Sequence, residues 1–422
     1  MIVQVRGIVK KSDFTKVLFL ALSITLLAST ASGAVLSFPV NINSGSSVSQ
    51  ETNFYTLRID PLIIPSATTL ITAVSGEKIF IGDRPTRALY IASLAGNTLT
   101  LQKNIPVPAP IESGNKNNAL LDMIATKDHL YLAVADGATG QPTCGGARIY
   151  DYTINSLATA PKLIFESTPC VAGDLSYTAR LALNGNLIYI AGGNSLVQYS
   201  DGTFPLPDSK DFIAGMKFPK TNYFGAVSAI DLKTKKVSLV STGLRHLGGL
   251  IWDSERKALW ETENGPRGGD ELNIILKGKN YGWPQVTLGR PYETETSPKN
   301  GVQTNTLGNS EAPVYGWTPS ISPSNIRKVP SKGEFSKYWA GDLIVGSLKA
   351  NQLRRLKISA KKTVLYDEPI PIGDRIRTLD FLSDGRLLLA TDTGRLLIIS
   401  NSEVLETGTY PKDSPAPTTG TG

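Results

Sequence analysis

A chain of 422 residues with 41% apolar content is long enough to bury a large core. Its 39 glycines and 26 prolines, without long charged helical patterns, argue for one large all-β domain. The formal charge of +7 is not gathered into a basic stripe with interleaved aromatics, so a nucleic-acid interface is not supported, and no Gly-x-Ser-x-Gly elbow, phosphate loop or histidine zinc motif gives hydrolase or nucleotide chemistry a foothold.

The N-terminus reads as an export signal. Arg6, Lys10, Lys11 and Lys16 precede the apolar run Val17 to Ala28, and Ser32-Gly33-Ala34 offers small residues for cleavage, so residues 1–34 are expected to be removed and the mature protein to be periplasmic or secreted. An uncleaved membrane anchor is the rival reading, but the run falls short of the roughly 20 residues that span a bilayer. Cleavage takes away four basic side chains and Asp13, which lowers the formal charge from +7 by 3 to +4.

A turn followed by a short apolar strand then recurs six times, at Ser75–Ile81, Lys127–Leu132, Asn184–Ile190, Ser254–Trp260, Ala340–Val345 and Asp384–Leu389. A spacing of roughly 45 to 85 residues is what four-stranded blades with variable connections give. Further strand pairs lie between the turns, such as Ala226 to Leu232 with Lys236 to Thr242. The expectation is a six-bladed β-propeller of four-stranded antiparallel blades over residues 35–405, with a β-sandwich as the plainer alternative. Beyond Leu405 the tail, residues 406–422, is rich in Pro, Thr and Gly with almost no apolar anchors and reads as disordered. Cys144 and Cys170 are the only cysteines and are too far apart for a CxxC motif; in an exported protein they fit one disulfide, with a free buried thiol pair as the alternative.

The stretch Thr262 to Pro284 reads T-E-N-G-P-R-G-G-D-E-L-N-I-I-L-K-G-K-N-Y-G-W-P. Glycine permits unusual backbone shapes and proline lacks an N–H, so Asn264 to Gly269 forms an irregular loop with carbonyls free to point inward. Asp270 and Glu271 add hard oxygen donors beside it. Carbonyls beside carboxylates suit calcium, which takes about six to eight oxygens, better than zinc, which prefers nitrogen and sulfur. A surface turn between strands satisfies the same composition. Long loops at one end of a propeller carry binding residues on a rigid scaffold, which places this loop toward the central channel.

The wording of this loop resembles E-H-G-P-R-G-G-D-E-L-N followed by N-Y-G-W-P, the pattern of the glucose/sorbosone dehydrogenase family of soluble quinoproteins, with Asn264 where His is usual. The likeness extends to Trp317–Ser324, Trp339–Lys349 and Gly373–Arg377, and thins upstream to Ala179–Tyr189. It implies oxidation of an aldose or related alcohol with pyrroloquinoline quinone (PQQ) and Ca²⁺, electrons passing to an acceptor outside the cytoplasm. Lys349, Arg375 and Arg377 match the family's anchors for PQQ, a planar tricarboxylate. Two residues apart on an extended strand, Arg375 and Arg377 point to one face and can grip one carboxylate-rich ligand. Arg245 matches a further contact beside the quinone, and Asn264 takes the place of another. The carbonyls of Gly265 and Pro266 match those that hold the calcium at the cofactor, while Glu271 and Tyr281 match positions around a second, structural calcium.

The chain departs from the family where the proton is removed. Ser176 stands in place of the family's basic His, in the stretch Ser176 to Leu181. General-base catalysis contributes a factor of about 10² to 10⁴, so its loss leaves a weak enzyme or none. The family's R-N-P-Q-G-L becomes Arg245-His246-Leu247-Gly248-Gly249-Leu250. His246 is a candidate relocated base or quinone contact, and Asp174 is a second candidate base. Two readings follow: a PQQ- and calcium-dependent sugar dehydrogenase, or a catalytically impaired propeller that retains cofactor or sugar binding.

Overall fold

The six turn-and-strand segments each join the innermost strand of a sheet to the second one, and there are six sheets. Apolar residues alternate or run continuously through these strands, as in Leu120–Ala125 and Leu387–Thr391, because each sheet is covered on both faces by its neighbours. The computed structural model describes residues 38–110, 119–138, 141–167, 171–172, 178–193, 224–283, 286–289 and 307–405, all within the unit Ser37–Gly422. The expected signal segment, the tail 406–422, Asp174, Ser176 and Cys170 lie outside the described residues, as does the side chain of Cys144. No helix among the described residues is long and apolar enough to cross a membrane.

Blade one contains Leu70–Ser75, Lys78–Asp83, Ala88–Ala95 and Thr98–Asn104, with Val40–Asn43 added at its outer edge. Blade two runs Leu120–Ala125, His129–Ala138, Gln141–Thr153 and Lys162–Glu166; blade three runs Ala179–Asn184, Leu187–Gly192, Ala226–Asp231 and Val237–Thr242. Blade four is Leu247–Asp253, Ala258–Glu263, Asp270–Ile274 and Tyr315–Trp317, and blade five is Pro323–Lys328, Leu343–Ser347, Gln352–Ile358 and Val364–Pro371. Blade six takes Ile376–Phe381, Leu387–Thr391 and Arg395–Val404 from the end of the chain and completes itself with Tyr55–Ile63 and Val48–Glu51 from the beginning.

The six inner strands pack in succession, and Ile376–Phe381 returns to pack on Leu70–Ser75, which closes the ring. Polar side chains stitch one inner strand to the next. Thr72 N–H donates to Thr378 Oγ1 at 2.9 Å, Val74 N–H to Asp380 Oδ2 at 3.2 Å, and Leu181 N–H to Asp122 Oδ2 at 2.9 Å. Between the sheets the core is apolar and aromatic. Trp260 and Trp317 pack with Val345 and Leu356 between blades four and five, and Tyr55, Phe335 and Trp339 pack between blades five and six. Burying each such side chain contributes about 1.5–3 kcal/mol, so the wedges between blades, more than hydrogen bonds within them, hold the ring shut. The architecture is the expected all-β six-bladed propeller.

Antiparallel pairing fixes which connections share an end of the channel. The six inner hairpins lie at one end; the connections entering each inner strand and those following each second strand lie at the other. Arg245, His246, the Asn264–Gly269 loop, Thr318–Ser322, Lys349, Arg375 and Arg377 all belong to this second end.

Candidate functional site

Arg245, His246, Asn264, Gly265, Pro266, Arg267, Gly268, Thr318, Pro319, Ser320, Ser322 and Lys349 line one cavity of about 730 Å³. That volume falls in the roughly 300–1,000 Å³ range of small-molecule sites. The loop after the second strand of blade four forms one wall and is compact because glycine is required there. A Cβ on Gly265 would stand 2.4 Å from the carbonyl oxygens of Gly268 and Gly269. Gly269, at φ +66°, has the Gly289 nitrogen 2.2 Å from where its own Cβ would lie.

Asp270 fastens this wall to the opposite one. Its Oδ1 accepts the Gly265 N–H at 3.0 Å; its Oδ2 accepts the Ser320 hydroxyl at 2.7 Å, the Ile321 N–H at 2.8 Å and the Ser322 N–H at 2.7 Å. Burial raises its pKa, and these hydrogen bonds oppose the rise. The expectation that Asp270 supplies oxygen to a cation is therefore corrected: both of its oxygens hold protein donors. The Thr318–Ser322 wall was not assigned to the site from sequence; the only signal was its likeness to the family's wording.

Arg245 reaches across the loop. Its backbone N–H donates to Glu263 Oε2 at 3.0 Å, its Nη1 donates to the carbonyl oxygens of Asn264 at 2.8 Å and Gly265 at 3.0 Å, and its guanidinium lies 5.1 Å from the Trp283 ring centroid. Two main-chain oxygens thus converge on a positive group, and that donor set fits a hard cation such as Ca²⁺. Asn264 braces the wall: its Nδ2 donates to Pro323 O at 3.0 Å and to His246 O at 3.4 Å.

Lys349 is exposed at the cavity mouth, and Arg375 Nη1 donates to the neighbouring Leu348 carbonyl at 3.1 Å. Arg375 and Arg377 do point to one face, where both grip Asp392. Arg375 Nε lies 3.2 Å from Oδ2, and Arg377 donates to Oδ1 at 2.7 Å and Oδ2 at 2.6 Å. Burial pushes the Asp392 carboxyl up, and the Arg377 and Arg375 guanidiniums bring it below the usual value. The pair therefore meets an internal carboxylate beside the cavity, while Lys349 lines the cavity itself.

His246 is half-buried, and its pKa is lowered to about 3 by burial first and then by Arg245, Arg180, Arg377 and Arg84. It is neutral at ordinary pH and a poor proton acceptor there, so its chemistry is that of a hydrogen-bonding contact.

Behind the loop, Glu261, Glu263 and Glu271 are buried close together; burial raises all three, with repulsion from Glu263 and Glu271 adding at Glu261, from Glu271 and Asp270 at Glu263, and from Asp270 at Glu271, which is raised to about 7. Asn273 Nδ2 bridges Glu261 Oε2 at 3.2 Å and Glu271 Oε2 at 3.4 Å. Tyr281 turns its hydroxyl to donate to Ile274 O at 2.5 Å and accept the Leu276 N–H at 2.9 Å. Among the described residues no three His, Cys, Asp or Glu side chains are grouped to hold a metal ion.

A family model described as Glucose / Sorbosone dehydrogenase matches residues 68–398. An uncharacterized protein of Synechocystis is 35% identical over 159 residues, 37% of this chain and 37% of that protein. The aldose sugar dehydrogenase YliI of Escherichia coli is 28% identical over 305 residues, 67% of this chain and 76% of that one, and the quinoprotein glucose dehydrogenase B of Acinetobacter calcoaceticus is 26% identical over 206 residues, 37% and 43%. The matched stretch is thus less than two thirds of the Synechocystis and Acinetobacter proteins. Two solved structures share the fold: the soluble aldose sugar dehydrogenase from E. coli in the apo-form (TM-score 0.65, 21% identity, 82% of this chain and 100% of that one) and the PQQ-bound aldose sugar dehydrogenase from Streptomyces coelicolor (TM-score 0.56, 17%, 86% and 98%). A match that runs through all six blades and includes the loop, the brace and the cations of the cavity places this chain in the glucose/sorbosone dehydrogenase family.

Proposed function

We propose that the chain is an exported dehydrogenase that oxidises an aldose or related alcohol, with PQQ as hydride acceptor and Ca²⁺ at the loop carbonyls, and that it passes electrons to an acceptor outside the cytoplasm. The observation that carries this reading is the single cavity in which the Gly265–Pro266 loop, Arg245 and Lys349 come together. The names of the Acinetobacter and Streptomyces relatives, a quinoprotein and a PQQ-bound enzyme, support it. The basic N-terminal segment with its apolar run supports export.

The loop carbonyls, those of Gly265 and Pro266 with that of Asn264 beside them, would hold the ion; Arg245 and Lys349 in the cavity would meet the carboxylates of the cofactor, and Arg375 and Arg377 would do so on leaving Asp392. When bound, the pair supplies an electrophilic acceptor for a hydride, polarised by the ion as a Lewis acid. The protein's part is positional. Asp270 keeps the two walls in register, and Asn264 holds the loop to blade five. Neutral His246 offers a ring nitrogen to a hydroxyl or carbonyl without adding another positive charge.

A second reading, a propeller that binds cofactor or sugar with impaired turnover, is favoured by one observation: among the described residues that line the cavity there is no strong general base, His246 being brought down to about 3 by burial and neighbouring guanidiniums. The two readings separate in one experiment. PQQ and Ca²⁺ are added to the purified protein, the quinone spectrum is followed, and an aldose panel with an artificial electron acceptor is then supplied. Binding with reduction of the acceptor is expected; binding alone selects the second reading. No binding overturns both. Lys349→Ala is expected to weaken PQQ binding by about tenfold, the loss of one charge-assisted contact.

A further inference from the structure

The cation-rich end of the channel extends beyond the residues given to the cofactor. Arg84 follows the second strand of blade one, and its Nε donates to the Leu120 carbonyl at 2.8 Å. Its two terminal nitrogens have no protein partner among the described residues and are not sealed from solvent. Arg180, on the inner strand of blade three, donates Nη1 to the next carbonyl, Leu121, at 3.2 Å, and that nitrogen lies 3.5 Å from Asp122 Oδ1. Its buried Nε has no hydrogen-bond partner. Arg84 and Arg180 thus reach the start of blade two's inner strand from either side.

Charge is unbalanced here. Among the described residues Arg84, Arg180, Arg375 and Arg377 face the carboxylates of Asp122 and Asp392, four positive charges against two, while Arg327 is paired with Asp380. Burial first, then Arg377 and Arg180, bring Arg84 down to about 9. Arg84, just after a second strand, and Arg180 and Arg377, at the starts of inner strands, lie at the same end of the channel as His246, which lines the cavity. A surplus guanidinium in a half-buried channel favours an anion, and its planar fork matches a carboxylate.

Position decides which carboxylate. The residues that would meet the cofactor sit on blades four, five and six, and two of them, Arg375 and Arg377, also hold Asp392. Arg84 and Arg180 sit on blades one and three, on the other arc of the channel. We propose that Arg84, braced by Arg180, is a specificity-determining residue that binds a carboxylate of the sugar, so that the substrate is an acidic aldose such as a uronic acid. This rests on the dehydrogenase reading above.

The test compares glucuronate and glucose binding to the full protein by saturation-transfer NMR, in the wild type, Arg84→Gln and Arg84→Lys, with PQQ titrated spectroscopically into each. Glucuronate is expected to bind about tenfold more tightly than glucose at low salt, with Arg84→Gln abolishing the preference and Arg84→Lys restoring part of it. Equal binding of the two sugars by the wild type, or a preference that survives Arg84→Gln, overturns the proposal. So does an Arg84→Gln protein that loses PQQ affinity and keeps its preference for glucuronate, because the arm then serves the cofactor. Failure of the wild type to take up PQQ sinks the dehydrogenase reading instead, and the sugar preference still reports on Arg84.

Discussion

Asp270 accepts four hydrogen bonds from two stretches that are about fifty residues apart in sequence. Asp270→Ala leaves four donors without their acceptor and is expected to destabilise the fold by about 3 kcal/mol, measured by urea unfolding, and to abolish calcium binding measured by calorimetry. An unchanged unfolding midpoint removes the bracing role. From sequence the loop stood out through its Gly-Pro wording and its acids. Which carboxylate faces protein donors was not readable, because Ser320, Ile321 and Ser322 decide it from the next blade. His246 carries a second prediction. Its ordinary value is 6.5 and its folded value about 3, so between these the unfolded chain binds a proton that the folded chain does not. The stability from this group is full above about 6.5 and is lost as pH falls toward 3. His246→Gln is expected to flatten the decline in stability between pH 6.5 and pH 4, read from unfolding midpoints; an unaltered slope rejects the assignment.

Among the elements, the second strand of blade five begins beside Asp342, in wording shared with the family. The structure gives that residue a structural task. Arg355, fully buried, donates Nη1 to Asp342 Oδ2 at 2.7 Å and Nε to Glu368 Oε2 at 2.6 Å, and lies 5.5 Å from the Trp339 ring centroid. Asp342→Ala leaves a buried guanidinium with one partner fewer and is expected to cost about 3–5 kcal/mol, and Arg355→Met, which strands both buried carboxylates, Asp342 and Glu368, is expected to cost more than Asp342→Ala. Guanidinium unfolding of the two variants decides it, and the reverse order defeats the argument. The inner hairpins were legible because each is local: turn residues followed by an apolar strand. The bond between Tyr55–Ile63 and Arg395–Val404 was not, since nothing near either strand names so distant a partner.

For the whole molecule, that pairing makes Val48–Glu51 and Tyr55–Ile63, near the start of the described chain, part of the last blade. Deleting residues 38–51 removes Val40–Asn43 and Val48–Glu51, both at outer edges, and is expected to leave a cooperative unfolding transition in calorimetry. Deleting through Ile63 strips Leu57, Ile59 and Leu62 from the core and leaves Arg395–Val404 as an open edge, so aggregation on size-exclusion chromatography is expected. A soluble, cooperative product would show that the ring does not need its closing strand. The same arrangement sets a timetable for biosynthesis. A chain whose opening strands wait for its closing ones has no finished circle until nearly all of it has been delivered, so it stays slack while it is being made and locks only at the end.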